Sequence, residues 1–170
     1  MRAPIKVAAT ILLWTVPLIV AATLFYLLVY WGAGIAKIGG EELVLGERPP
    51  RAGYAWFGFA VDVPVAAVWL YALYRLQLLL LRVRKGLALD GQTARHLRAY
   101  ASFAALTVFL HIATSGARRW AQGEHDMPFW THIQISMEHA GTLFTAAIFI
   151  LLSHIIVEAE SYKREAEDYL

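Results

Sequence analysis

Four ionisable side chains, Asp62, His111, Glu138 and His139, fall inside stretches that are otherwise apolar. A charge or a titrating ring in hydrocarbon is costly, so such residues are candidate ligand, ion or proton sites. Asp62 lies 8 residues after Tyr54, His111 7 before Arg118, and His139 7 after His132. At about 1.5 Å per helical residue, the three share a depth of roughly 10–12 Å below one membrane face. Glu138 sits at the same level, turned by about 100°. Two polar stripes reinforce these positions. Thr107, His111, Thr114, Ser115 and Arg118 recur at helical spacing, as do His132, Ser136, His139 and Thr142.

Three kinds of chemistry suit this set. The plainest is a buried hydrogen-bonded network that fixes helix register and requires no cofactor. The second is a divalent metal site with Asp62, His111 and His139 as ligands, a donor set that suits zinc. The third is haem b held between His111 and His139, with Gly116, Ala140 and Gly141 leaving room for the macrocycle. His125 precedes Pro128, so the run His125, His132, His139 does not define one helical face. His154 and Glu158, four apart, read as an interfacial pair. The chain carries no nucleophile elbow, phosphate loop, zinc-protease helix or cysteine cluster. A non-enzymatic protein is expected.

The elements that must position these residues are membrane helices. Of 170 residues, 59% are apolar and 16% charged, against about 45–50% and about 25% in soluble domains. The apolar residues are gathered into four spans: 7–31, with no charged residue; 54–81, interrupted by Asp62, Pro64, Arg75 and Gln77; 99–117, with His111 as its titratable group; and 133–157. Residues 7–31 exceed the roughly 7–15 apolar residues of a signal peptide core, so they read as a retained helix. Pro17 predicts a kink there, and Tyr30-Trp31 and Phe129-Trp130 predict interfacial anchors. Gly39-Gly40 and Pro49-Pro50 make 32–53 a loop. Without cysteine, disulfide frameworks and thiolate chemistry are excluded.

Between the second and third spans lies a basic hinge with Arg82, Arg84, Lys85, Arg95 and Arg98 against one acid, Asp90. Asp90 and Thr93 are candidate caps, with the third helix expected to start near Thr93. Residues 158–170 form a net-acidic helical tail that continues the fourth span. Ten Lys and Arg residues fall on the side of the hinge and termini, and five on the other. The positive-inside rule then places hinge and both termini in the cytoplasm. The expected fold is all-α, a single four-span domain: an integral membrane four-helix bundle, up-down-up-down, both termini cytoplasmic. Arg82, Arg84, Lys85, Arg95, Arg98, Glu158 and Glu160 would make its cytoplasmic contact face.

Tyr74-Arg-Leu-Gln-Leu-Leu-Leu-Leu-Arg82, Gly86-Leu-Ala-Leu-Asp90 and His96-Leu-Arg98, with the closing Glu158-Ala-Glu and Glu165, resemble a bacterial family. It is the four-helix membrane proteins catalogued as domain of unknown function 2975. Leu89 stands where that family usually has Phe, and Ala166 where Asn is common. The resemblance covers the second half of the chain well and the first half in layout. It implies a multi-pass protein of the bacterial inner membrane. Because some members are encoded beside a small helix-turn-helix regulator, it also implies a sensing or regulatory role through a cytosolic partner. The expected partners are the lipid bilayer and either such a regulator or other membrane subunits, with no direct nucleic acid binding.

Overall fold

A 25-residue stretch without charge cannot hide its side chains in a small protein, and the structure arranges the helices accordingly. The computed structural model describes residues 3–28, 37–38, 41–42, 55–86, 90–121 and 135–168. It contains α1 (Ala3–Leu27), β1 (Lys37–Ile38), β2 (Glu41–Glu42), α2 (Ala55–Arg84), α3 (Gly91–Ala121) and α4 (Met137–Asp168). All four helices are long and apolar enough to cross a membrane. At 32 residues, α4 is about 48 Å long, well beyond a hydrocarbon core of about 30 Å. The expected tail is therefore part of α4 as far as Asp168. β1 and β2 pair antiparallel, Lys37 opposite Glu42, so the region expected to be a loop contains a short strand pair. Tyr30, Trp31, His125, His132, Phe129 and Trp130 lie outside the described residues.

Successive helices pack in sequence, α1 on α2, α2 on α3 and α3 on α4. Among the described residues no other pair of helices brings its backbones within 8 Å. The four helices expected from sequence as a bundle thus form a row among the described residues, with α1 and α4 at its edges. The burial pattern gives the reason. On α1 the covered residues centre on Ala9, Leu13, Val16, Val20, Thr23 and Leu27, spaced by three and four, with Thr10 and Thr15 beside them; on α4 they centre on His139, Thr142, Ala146, Phe149, Ser153, Ile156 and Glu160, with Leu143 and Ile150 beside them. A seam that narrow serves one neighbour. The rest of each edge helix points outward, with Trp14 71% and Phe144 69% exposed. Apolar residues on the outside are what a bilayer solvates.

The core lies between α1 and α2, where Val16, Leu73 and Leu80 meet, flanked by Leu13, Val20, Trp69 and Leu76. α1 stays helical through Pro17, as α2 does through Pro64. Between α2 and α3, Tyr71 meets Phe103 edge-on at 4.6 Å. Tyr100 and Phe149 join α3 to α4.

The hinge is built from two local devices. Gly86 takes φ +87° and gives its N–H to the Val83 carbonyl at 3.0 Å, a left-handed stop that favours glycine. Asp90 then caps α3. Its Oδ1 accepts from the Thr93 N–H at 2.8 Å, and its carbonyl accepts from Ala94 N–H. Of the two candidate caps Asp90 is the one used, so α3 starts at Gly91, two residues before Thr93.

Candidate functional site

α3 carries a polar cluster at each end. At the end away from the hinge, here the distal end, Arg118 is the hub. Its Nε lies 2.6 Å from Asp62 Oδ1 of α2, with both side chains largely covered. The approach is off the hydrogen-bond line, so this is a charge contact rather than a directed bond. Arg118 Nη1 and Nη2 lie 3.1 and 3.0 Å from His111 Nε2 and Nδ1, and Nη2 donates to Thr114 Oγ1 at 3.2 Å. A neutral imidazole accepts at one nitrogen only, so one of the two His111 contacts is the hydrogen bond. Arg118 was legible as a member of the Thr107–Arg118 stripe. The positive-inside count assigned it to a loop, which hid its role as the partner of Asp62.

His111 meets His139 of α4, ring centroids 5.2 Å apart and tilted by 53°. That spacing is an ordinary ring-on-ring contact, so no macrocycle fits between the two rings as they stand. His139 is also committed elsewhere. Ser136 gives its backbone N–H to His139 Nδ1 at 3.0 Å, and the His139 N–H points back to Ser136 Oγ at 3.4 Å. This is a capping box with His in the place of the usual Glu or Gln. α4 therefore begins at Met137, not near Ile133, and His139 lies in its first turn.

Three of the four candidate residues, Asp62, His111 and His139, thus converge, but through a guanidinium. Arg118 stands between Asp62 and His111, where a cation bound by both would have to sit. Among the described residues no three His, Asp or Glu side chains form a group that could hold a metal ion. Glu138 is exposed and belongs to a different space, a cavity of about 340 Å³ that it lines with Trp69, Tyr100, Gly141 and Phe149. A second cavity of about 310 Å³ opens over the Arg118 cluster, lined by α1, α2 and α3.

At the hinge end the polar contacts join α2, α3 and α4. Arg82 pairs with Asp90 and donates to Gln92 Oε1 at 2.6 Å. Partial burial pushes the Asp90 carboxyl up. The hydrogen bonds from Thr93 and Arg82 outweigh that and hold it below its ordinary value. Arg75 reaches Tyr71 Oη at 3.0 Å and His96 Nδ1 at 3.4 Å. Arg98 donates to Ser153 Oγ at 3.3 Å and lies 3.4 Å from His154 Nδ1; Ser153 is fully buried. Glu160 packs over the start of α3, where a Cβ on Gly91 would stand 2.9 Å from its Oε2. It also pairs with Arg164 at 2.6 Å.

The expected contact face is therefore divided. Arg84, Lys85, Arg95 and Glu158 are exposed, whereas Arg82 and Glu160 are drawn into contacts within the chain. His154 faces Arg98 rather than Glu158, which accepts from Tyr162 Oη at 3.4 Å.

No family model, curated protein or solved structure matches this chain.

Proposed function

We propose that the chain is a non-enzymatic, multi-pass protein of the bacterial inner membrane that senses a condition at its distal end and reports it to a cytosolic regulator. The hinge and both termini face the cytoplasm, as the excess of Lys and Arg on that side favours. The supporting observation is that one helix, α3, holds a charged cluster at each end, and each is tied to both neighbouring helices. Asp62 and His139 meet α3 at Arg118 and His111. Arg75, Ser153 and Glu160 meet it at His96, Arg98 and Gly91. A shift of α3 alters both ends together, the physical requirement for coupling. The resemblance to the family of unknown function 2975 agrees with this role.

The test is cross-linking in cells from Lys85 and Lys163, the latter 76% exposed. A cytosolic partner should be trapped, and its yield should change when Arg118 is replaced by Lys. Capture of membrane subunits alone would turn the protein into an accessory subunit of a larger complex. Capture of a cytosolic partner with a yield indifferent to Arg118 would remove the sensing role.

A further inference from the structure

The cavity over the Arg118 cluster exists because α1 and α3 both pack on α2 and not on each other. Its floor is α2, with Asp62 and Trp69; Tyr26 stands on the α1 side, and Thr107, His111 and Arg118 on the α3 side. With α2 as floor and α1 and α3 as walls, the side opposite the floor is the gap between two apolar helices, whose exposed residues include Phe25 and Phe109. Anything entering by that route arrives from the bilayer.

Three properties narrow the occupant. At about 310 Å³, the space is at the small end of ligand pockets, which run from about 300 Å³ upward, and suits a single ring-sized head group. The charge of Arg118 is already matched by Asp62 at 2.6 Å, so the floor offers no net attraction to an anion. Arg118 nevertheless has donor capacity to spare. A guanidinium carries five N–H groups. Its contacts here are Asp62, one acceptor nitrogen of His111 and Thr114. The fitting ligand is neutral, planar enough to lie against Trp69, rich in carbonyl acceptors and dissolved in the membrane.

We propose that this crevice binds the head group of a membrane quinone, with a ring carbonyl accepting from Arg118 and the tail leaving between α1 and α3. This names the ligand class for the distal cluster and rests on the sensing role proposed above. It is a binding site; no electron transfer is assigned to the chain.

The test uses the full chain in phosphatidylcholine nanodiscs titrated with decylubiquinone, read by quenching of tryptophan fluorescence. Wild type should show saturable quenching, and Trp69→Phe should lose part of its amplitude. Ala66→Phe, which fills the crevice from α2 without touching the polar cluster, should raise the half-saturation concentration by about tenfold or more. Arg118→Lys, which keeps a positive charge near Asp62 but has fewer donors, should do the same. An azido-quinone on the wild-type chain should label α1 near Tyr26 and α3 near Thr107, a readout independent of whether any variant folds.

Quenching that never saturates and is equal in wild type and Ala66→Phe would mean partitioning into the bilayer and would overturn the proposal. So would displacement of the quinone by phosphatidylglycerol, which would make this an anionic head-group site. The two proposals fail separately. Quinone binding without any change in partner capture removes the sensing role and leaves the site. Arg118-dependent capture without quinone binding removes the ligand class and leaves the sensing role.

Discussion

The two ends of α3 solve the same problem, holding charge beside apolar helices, in opposite ways. At the distal end the buried ion pair Arg118–Asp62 joins α3 to α2, with the His111 ring and the Thr114 hydroxyl beside it. At the hinge end Arg82, Asp90, Gln92 and Thr93 share the load over a short turn, with Arg98 and Glu160 adding contacts to α4. Loss of Arg118 at the distal end removes the cation that faces the largely covered Asp62 carboxylate. At the hinge end the groups are partly exposed, Arg82 at 23% and Asp90 at 29%, and water replaces what a substitution removes. The first arrangement is all-or-none and the second graded, which suits a sensing site at one end and an adjustable contact at the other.

The sharpest way to break this comparison is at Arg118. Arg118→Ala should destabilise the chain by ~3–5 kcal/mol, because it removes a cation paired with the largely covered Asp62 carboxylate. Asp62→Leu combined with Arg118→Met should restore most of the loss, since an apolar pair of similar size has no desolvation cost. Unfolding in mixed detergent micelles, followed by circular dichroism, measures both. If Arg118→Ala costs no more than about 1 kcal/mol, the value for an exposed pair, the distal cluster is wetter than its burial indicates and the contrast fails.

Much of this was legible in the sequence, and the parts that were not share a cause. Helix number and the location of the hinge follow from composition and breakers, because 25 uncharged residues or a Gly86 before a capping Asp90 admit few alternatives. Depth put Asp62, His111 and His139 at one level and left open whether they meet; Asp62 and His111 both lie against Arg118, and His111 lies against His139. Depth carries no azimuth, however, so it could not show that Glu138 faces another cavity or that Arg118 stands in the middle. The row was also hidden. A seam such as Ala9, Leu13, Val16, Val20 shows how many neighbours a helix takes only once the exposed face is known to be lipid-like, since Leu and Ile line both faces. The capping box of Ser136 and His139 was missed because its third-position residue is His, and the apolar pattern alone ran the helix back to Ile133.

A smaller effect tests the hinge end. The Asp90 carboxyl is held below its ordinary value, with Thr93 and Arg82 prevailing over partial burial. The stabilisation this brings is present at pH above the unfolded carboxylate value of about 4. It is lost as the pH falls through that value and on through the lower folded one. Asp90→Asn keeps much of the cap, Asn and Asp being near equals there, but removes the titration. Stability of Asp90→Asn should therefore vary less between neutral and acidic pH than that of wild type, the two curves converging at the acid end. Parallel curves would mean that the carboxylate is not the group holding Arg82.

The smallest effect decides whether α4 is docked at the hinge by charge or by shape. Glu160 lies over the first residue of α3, where the helix dipole favours an anion by about 0.3–1 kcal/mol. Its other partner, Arg164, is largely exposed and adds little. Glu160→Gln should cost under about 1 kcal/mol at low ionic strength and less in about 1 M salt, where the screening length falls to ~3 Å. Amide exchange across 161–167 should rise while that of α1 is unchanged. Gly91→Ala separates the two causes, because its Cβ would meet Glu160 Oε2 at 2.9 Å and push the carboxylate aside without removing its charge. If both variants loosen 161–167, position matters as well as charge, and the contact is a seat that a partner could open. If only Glu160→Gln does, the flexible carboxylate has moved and kept its attraction. If neither does, the tail is not held at Gly91, and the hinge end reduces to the Arg82–Asp90 turn and the Arg98 contacts.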